Sequence, residues 1–459
     1  MTHRLDPTIL REYDIRGTVG VTLSAEDAQV IGRAFASFVR EAGGRRTAVG
    51  YDGRLSSPEL EAALVEGLLS EGIDVLRIGR GPTPMLYYAA ATEKVDAGVM
   101  VTGSHNPPQM NGFKLVLGGK PFFGEAIARL GQRALALGPP KSRRGRVEER
   151  MIESRYVARL LEDYQPGRGL SVAWDPGNGA TAEVVRALAA ALPGRHILLN
   201  DVIDGTFPSH HPDPTVPENL EELIAAVERE RCDLGIAFDG DGDRIGVVDE
   251  KGRILWGDQL MTIFAEEVLK RRPGAPILAD VKASQVLFDE IARLGGRPVM
   301  APTGHSRIKA KLAETGAPLA GEMSGHIFFA DRYYGFDDAL YAAVRLLGIL
   351  GNSAVTLAER RDRLPAVVNT PELRFPCPEE RKFEVVREVA ERLEEEGAEI
   401  DKTDGLRVRR PEGWWLLRAS NTQAVLVARA EAKSEEGLLR LRGELKRQLA
   451  RSGIALPGE

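Results

Sequence analysis

One pattern occurs three times in this chain, and it restricts the possible folds more than any other feature. The stretches "TAVGYDGRLSSPELEAAL", "LSVAWDPGNGATAEVVRAL" and "PILADVKASQVLFDEIARL" each run an apolar segment into an aspartate, then a turn, then apolar residues at helical spacing. The three aspartates, Asp52, Asp175 and Asp280, stand 123 and 105 positions apart. That period has the length of a domain, whereas a solenoid repeats every roughly 20–50 residues. A helix precedes the first repeat in "SAEDAQVIGRAFASFVREAGG": Ser24 is an N-cap with Asp27 three positions on, Val30, Ile31, Ala34, Phe35 and Phe38 form one apolar stripe, and Gly43 follows the end. The match continues beyond the helices. "VDAGVMVTGSHNP" and "CDLGIAFDGDGDR" align without a gap, pairing Asp96 with Asp233, Gly98 with Gly235 and Ser104 with Asp241, and "APLAGEMSGHIFF" stands at the corresponding place in the third unit. Three α/β units are expected, each with one polar, glycine-rich loop after an apolar strand. Open α/β sheets bind ligands at the carboxyl ends of their strands, so three such loops can face one cleft.

The pattern stops after "RLPAVVNTPELRFPCPEE", where Pro365, Pro371, Pro376 and Pro378 interrupt it. An acidic helical stretch, "EERKFEVVREVAERLEEEG", then precedes the strands "GLRVRR" and "WWLLRASNTQAVLVARAEA" and a last helix, "SEEGLLRLRGELKRQLARSG". These read as a smaller α+β unit. The fold class expected is α/β: three similar mixed-sheet α/β/α domains, at residues 1–149, 150–250 and 251–368, and an α+β C-terminal domain at 369–459. A length of 459 residues agrees with several domains of about 100–200 residues each.

Composition narrows the function. A net charge of -6 gives no basic footprint for nucleic acid. No run of about 18 uncharged apolar residues occurs, and the start "MTHRLDPTILREYD" is charged where a signal peptide carries its apolar stretch, so a cytoplasmic protein without a membrane partner is expected. The two cysteines, Cys232 and Cys377, form neither a disulfide framework nor a metal-ligand spacing.

"FDGDGDRIG" carries Asp239, Asp241 and Asp243 with only glycine between them. Three carboxylates at alternate positions make a hard, oxygen-rich site for Mg²⁺ or Ca²⁺ rather than zinc, and the glycines let the backbone curl around the ion. An EF-hand shares this spacing, with Glu250 at its twelfth position, but Arg244 replaces the turn glycine and the flanks read as strands; a solvated acidic turn is the other alternative. "VTGSHNPP" puts Ser104 in a turn that is not the G-x-S-x-G elbow, with no acid and histidine arrangement for a hydrolase triad. Its alignment with the aspartate loop points to a nucleophilic or phosphate-carrying role, and Lys114 follows at hairpin distance. "GEMSGH" alternates Glu322, Ser324 and His326, which share one face if extended and suit sugar hydroxyls. "PTGHSRIKAKL" opens a helix at His305. "RASNTQ" combines Arg418 with Ser420, Asn421 and Thr422, a guanidinium and short polar side chains of the kind that hold a phosphate.

Taken in order along the chain, "YDIRG", "TGSHNPP", "NGFK", "FDGDGDR", "GEMSGH" and "RASNT" resemble the α-D-phosphohexomutases, and within them the phosphomannomutase/phosphoglucomutase branch. The resemblance implies four domains around a deep cleft, a phosphate on Ser104, and Mg²⁺ held by Asp239, Asp241, Asp243 and a phosphoserine oxygen. It implies interconversion of hexose 1-phosphate and hexose 6-phosphate, of mannose, glucose or both, through a hexose 1,6-bisphosphate that turns over in the cleft. It makes Lys114 and His305 the proton-transfer residues, and lines the cleft with Tyr13, Arg16, His105, Arg244, Lys282 and His326. Glu322 and Ser324 would read sugar hydroxyls, and Arg418, Ser420, Asn421 and Thr422, in a mobile last domain, would grip the distal phosphate. A monomer or weak dimer is expected. Gly103, where many members carry alanine, and Gln423, where threonine is usual, are departures beside the site. Met323 favours this branch over phosphoglucosamine mutase, which remains the alternative; a magnesium-dependent sugar phosphatase would share the aspartates and the phosphate loop.

Overall fold

The computed structural model describes residues 3–421 and 423–455. Each of the three repeats builds the same four-strand core. In the first, strand Arg46–Tyr51 lies between Asp74–Arg80 and Ala97–Val101, parallel to both, and Met110–Leu117 runs antiparallel beside Ala97–Val101. The second repeats this with Gly194–Leu198, Leu170–Asp175, Leu234–Phe238 and Ile245–Asp249, and the third with Arg297–Ala301, Pro276–Asp280, Leu319–Gly321 and Ile327–Phe329. Edge strands differ. Ile15–Thr18 and Val147–Glu149 extend the first sheet at opposite ends, and Ile254–Leu255 closes the second beyond residue 250. The central strands Ala97–Val101 and Leu234–Phe238 are buried at every position, as parallel strands covered on both faces must be.

Local chemistry accounts for the helices. Ser24 and Asp27 form the capping box of helix Ala25–Glu41, which ends before Gly43 at φ +80°. The apolar stripe buries Val30, Ile31, Ala34, Phe35 and Phe38 in the core of the first unit. Asp338 caps helix Ala339–Gly351, apolar apart from the ion-paired Arg345, which is buried between the second and third units and holds them in one core with Leu86, Trp174 and Phe264. Both cysteines are unpaired and buried.

The fourth unit is a six-stranded sheet in which Gly413–Ala419 and Val425–Ala432 form the central hairpin, covered by helices Glu379–Glu395 and Glu435–Arg451. Its apolar core is its own. It meets the third unit through a small cluster of Val281, Trp414 and Leu416 and through two arginines. The buried Arg407 guanidinium stacks 3.6 Å over Trp414 and donates to the carbonyls of Val281 and Ala283. Arg429 donates to the carbonyl of Lys282.

Candidate active site

All three repeated units place their polar loop at the same point, between the third strand and the antiparallel fourth. The connections after Ala97–Val101, Leu234–Phe238 and Leu319–Gly321 carry Ser104, the three aspartates and the 322–326 turn, and the hairpin turn after Gly413–Ala419 carries Ser420 and Asn421. They converge on one cleft of about 1060 Å³ whose walls include Tyr13, Arg16, Ser104, His105, Lys114, Asp243, Arg244, Lys282, His305, Glu322, Ser324, His326, Arg418, Ser420 and Asn421. Thr422 lies outside the described residues.

The repeated aspartates brace these loops. Asp52 accepts the Gly103 N–H at 3.0 Å and Asp280 the Met323 N–H at 3.2 Å. Asp175 differs, taking the Gly177 N–H and facing His210 Nε2 at 2.8 Å.

At the floor, the first and second units touch. Ser104 sits at φ +49°, a left-handed conformation strained for a residue with a side chain, and its hydroxyl donates to Asp239 Oδ2 at 3.1 Å. Gly240 permits this approach, since a Cβ there would lie 2.5 Å from the Ser104 carbonyl oxygen. Asp239 Oδ1 accepts the N–H groups of Gly242, Asp243 and Arg244 at 3.0–3.1 Å, which curls the loop around one carboxylate. The first unit supplies the countercharge. Lys114 Nζ donates to Asp241 Oδ2 at 2.7 Å and to Asp243, and the Thr83 and Thr102 hydroxyls also donate to Asp241 Oδ2. Burial opposes charge on Asp241, but Lys114 and Thr83 outweigh it and hold the carboxyl below the usual range. For Asp239, burial and then its neighbours Asp243 and Asp241 push the carboxyl well up. Burial works against the Lys114 ammonium as well, but Asp241 and Asp243 keep its pKa well above the ordinary lysine value.

One carboxylate oxygen from each of the three aspartates falls within 4.8 Å of the others, all three side chains are fully buried, and Asp241 Oδ1 and Asp243 Oδ1 have no hydrogen-bond partner among the described residues. Such buried, unsatisfied carboxylate oxygens fit a hard divalent cation. The strands on either side of the loop exclude the helix-flanked EF-hand.

Along the side wall, Arg244 Nε donates to His326 Nε2 at 3.0 Å, which places the neutral ring's proton on Nδ1, 3.1 Å from the Asp243 carbonyl and from Asp337. His305 stacks on His326 with centroids 5.5 Å apart, and Lys309 Nζ bridges His305 Nδ1, Tyr87 and Asp337. Burial, and after it the Lys309 charge, drives the His305 pKa well below the ordinary value; burial does the same to His105, followed by Arg244 and Arg16. His105 Nδ1 lies 3.2 Å from Ser104 Oγ. Glu322, Ser324 and His326, which would share one face if extended, are not extended: residues 322–325 form a turn, with Gly325 at φ +90° and its N–H on the Glu322 carbonyl. The three side chains still line the cleft, and Glu322 Oε1 is buried with no partner among the described residues.

The upper wall joins three units through polar groups. The Tyr13 hydroxyl donates to the Thr303 carbonyl at 3.0 Å and accepts from Asn421 Nδ2 at 3.0 Å. Asp404 accepts from Arg418 Nε at 2.9 Å and from the Thr303 N–H at 3.1 Å, and Lys282 pairs with Glu372 at 3.1 Å.

Sequence reasoning did not find Arg54, Thr83, Asp337 or Lys309. Thr83 sits in "PTPM", a Pro-flanked helix start, and Asp337 in the acidic pair of "GFDD"; both patterns were visible but have ordinary structural uses. Trp256, part-exposed beside the 322–325 turn, also lines the cleft.

This architecture defines a class: three α/β/α units of one topology and a smaller fourth unit, each aiming one loop into a shared polar cleft. Comparison with known proteins specifies it further. Patterns described as phosphoglucomutase/phosphomannomutase alpha/beta/alpha domains I, II and III match residues 7–136, 154–252 and 256–367, and the family's C-terminal domain matches 372–448. A phosphomannomutase/phosphoglucomutase from Pseudomonas aeruginosa is 46% identical over 453 residues, covering 99% of this chain and 98% of the relative. A phosphoglucomutase from Neisseria gonorrhoeae is 45% identical over 445 residues, 95% of this chain and 96% of its own. The crystal structure of a phosphoglucomutase/phosphomannomutase family protein from Burkholderia thailandensis superposes with a TM-score of 0.93 at 44% identity, covering 99% of both chains. The chain belongs to the phosphoglucomutase/phosphomannomutase family.

Proposed function

We propose that the protein is a mutase that interconverts hexose 1-phosphates and hexose 6-phosphates of mannose, glucose or both. The observation that carries this reading is the meeting of Ser104 Oγ with Asp239 at 3.1 Å, across the boundary between two units, beside two carboxylate oxygens that lack hydrogen-bond partners among the described residues. The relatives named above are phosphomannomutases and phosphoglucomutases, which are isomerases.

In this reading phospho-Ser104 gives its phosphoryl group to the free 6-hydroxyl of a hexose 1-phosphate. The Oγ–P bond breaks, the sugar O–P bond forms, and the hydroxyl proton passes to the Ser104 oxygen left behind. The bound hexose 1,6-bisphosphate turns around and returns its 1-phosphate to Ser104, which releases hexose 6-phosphate. Asp239, Asp241 and Asp243 would hold Mg²⁺, the ion this family uses, which when bound offsets the negative charge spreading over the transferring group. Lys114 adds an ammonium beside that group, and Lys114 and His305 are the candidates to take the hydroxyl proton and return it to the serine oxygen. Arg16, Arg244 and Lys282 add positive charge along the walls. Glu322, with its unpartnered oxygen, and Ser324 receive the sugar hydroxyls; Arg418, Ser420, Asn421 and Thr422 receive the distal phosphate.

A coupled assay with mannose 1-phosphate, glucose 1-phosphate and glucosamine 1-phosphate, each with a trace of hexose 1,6-bisphosphate, tests the reading. Formation of the 6-phosphate of mannose or glucose with little free phosphate supports it. Release of inorganic phosphate as the main product identifies a phosphatase, and a preference for glucosamine 1-phosphate identifies a phosphoglucosamine mutase.

A further inference from the structure

Arg54 follows the first repeated aspartate in the turn after strand Arg46–Tyr51, and its guanidinium is fully buried beneath the Ser104 loop. An arginine side chain has five N–H donors in a rigid fork, and here every one is used. Nε donates to Asp52 Oδ2 at 3.2 Å, Nη1 to the carbonyls of Pro107 at 2.6 Å and Met110 at 3.0 Å, and Nη2 to the carbonyls of Ser104 at 2.7 Å and Asn106 at 2.5 Å. Four carbonyl oxygens of one loop thus converge on a single cation, an arrangement whose dipoles would repel one another without it. Phe207 of the second unit closes the other side, with the guanidinium carbon 5.1 Å from its ring centre. The loop also holds Ser104 at φ +49°, a conformation that persists only when its surroundings over-determine it. Gly103 completes the fit. A Cβ at that position would lie 2.2 Å from Arg54 Nε, so the guanidinium occupies the space a side chain would need.

We propose that Arg54 is a positioning residue for Ser104: it gathers the carbonyls of residues 104–110 into the one loop conformation that presents the serine hydroxyl to the aspartate loop, and Gly103 leaves the space that the guanidinium and the Met110 carbonyl fill. Arg54 touches neither substrate nor the reacting oxygen. A lysine in its place keeps the charge but loses the fork and cannot reach four carbonyls and a carboxylate together. The proposal rests on the reading that Ser104 carries the phosphate, because in-line transfer makes the reaction sensitive to where that oxygen sits.

Arg54→Lys and Gly103→Ala test it from the two sides of the same contact. Expected for both are a kcat lower by about 10²-fold, the scale of a misplacement near 1 Å, with KM for hexose 1-phosphate unchanged. Covalent phosphate uptake from glucose 1,6-bisphosphate, followed by intact mass, should slow in parallel. Amide hydrogen exchange should quicken in residues 102–110 and stay the same in the other two repeated units. Arg54→Ala should recover part of its kcat when millimolar guanidinium is added. A lowered melting temperature with wild-type kcat and unchanged exchange in 102–110 would overturn the proposal and leave Arg54 an ordinary structural residue. If Arg54→Lys fails to fold, Gly103→Ala decides alone, and wild-type kcat in that variant overturns the proposal. Wild-type protein that takes up no phosphate defeats the mutase reading instead, and the exchange measurement then decides the bracing of the loop by itself.

Discussion

The floor and the upper wall of the cleft are built on opposite plans. At the floor, Ser104 and Asp239, Asp241 and Asp243 are almost wholly buried, and hydrogen bonds join them across two units that share one continuous apolar core. At the upper wall, the fourth unit has a separate core, and its loop reaches the rest through single polar contacts such as Tyr13 to Asn421. The difference matches two demands of the proposed reaction. A reacting oxygen has to be fixed in advance, because preorganised groups contribute only where charge develops. A group that grips the distal phosphate has to accept a sugar bound in either direction, and a few replaceable hydrogen bonds on a separately packed unit permit that.

The largest effect should come from the floor. Ser104→Ala is expected to lower turnover on the order of 10⁶-fold, as deletion of a nucleophile from groups acting as a unit does, and to remove one covalent phosphate from the intact mass. Activity retained in that variant would break the floor assignment altogether. Asp241→Asn should cost about 10²–10³-fold in kcat and weaken the dependence on added Mg²⁺, while the fold survives. Equal activity of wild type in chelator would remove the metal from the scheme. The upper wall predicts a different signature. Arg418→Ala should raise KM by about 10- to 100-fold, the value of one charged hydrogen bond, and leave kcat nearly unchanged. A pure kcat loss there would mean that the two walls are not divided as described.

Proton linkage supplies a subtler test. Burial lowers the pKa values of His105 and His305 in the cleft, so below about pH 6.5 the unfolded chain binds protons that the folded chain does not, and stability falls as pH is lowered. His305→Gln should flatten that decline in a series of melting curves. His210, raised by Asp175 against the cost of its burial, carries the opposite sign: its contribution is complete below about 6.5 and is lost as pH rises through its folded pKa. The smallest effect expected is that of Tyr13→Phe, which removes one donated and one accepted hydrogen bond, about 0.5–1.5 kcal/mol each, and shifts KM several-fold.

Much of this could be read in the chain because the signals were local. The repeated aspartates, the apolar strands and the Ser24 cap are each contained within a few consecutive residues, and the gap-free alignment of Ser104 with Asp241 already located two loops at equivalent points of two sheets. The parts that were not legible depend on contacts between distant residues. Arg54 lies 50 residues from Ser104, and Thr83 lies 158 from Asp241; nothing around either residue distinguishes it from a surface arginine or a helix start. The polar loop of the third unit was legible by its place in the repeat, but alternation of polar residues also fits a strand, and only the paired strands on either side show that the chain reverses at 322–325.

The separation between Lys114 and Asp241, 127 residues, has a consequence for the order of synthesis. A second unit folding alone would lack the Lys114 ammonium that Asp241 and Asp243 both contact, and Arg244 would be left to offset the three carboxylates. The chain emerges from its amino end, and units fold as they appear. Thr83, Ser104 and Lys114 are therefore already in place on a finished first unit when the aspartate loop leaves the ribosome. A circular permutant that begins at the second unit would reverse this sequence of events, and its refolding yield should suffer before its final activity does.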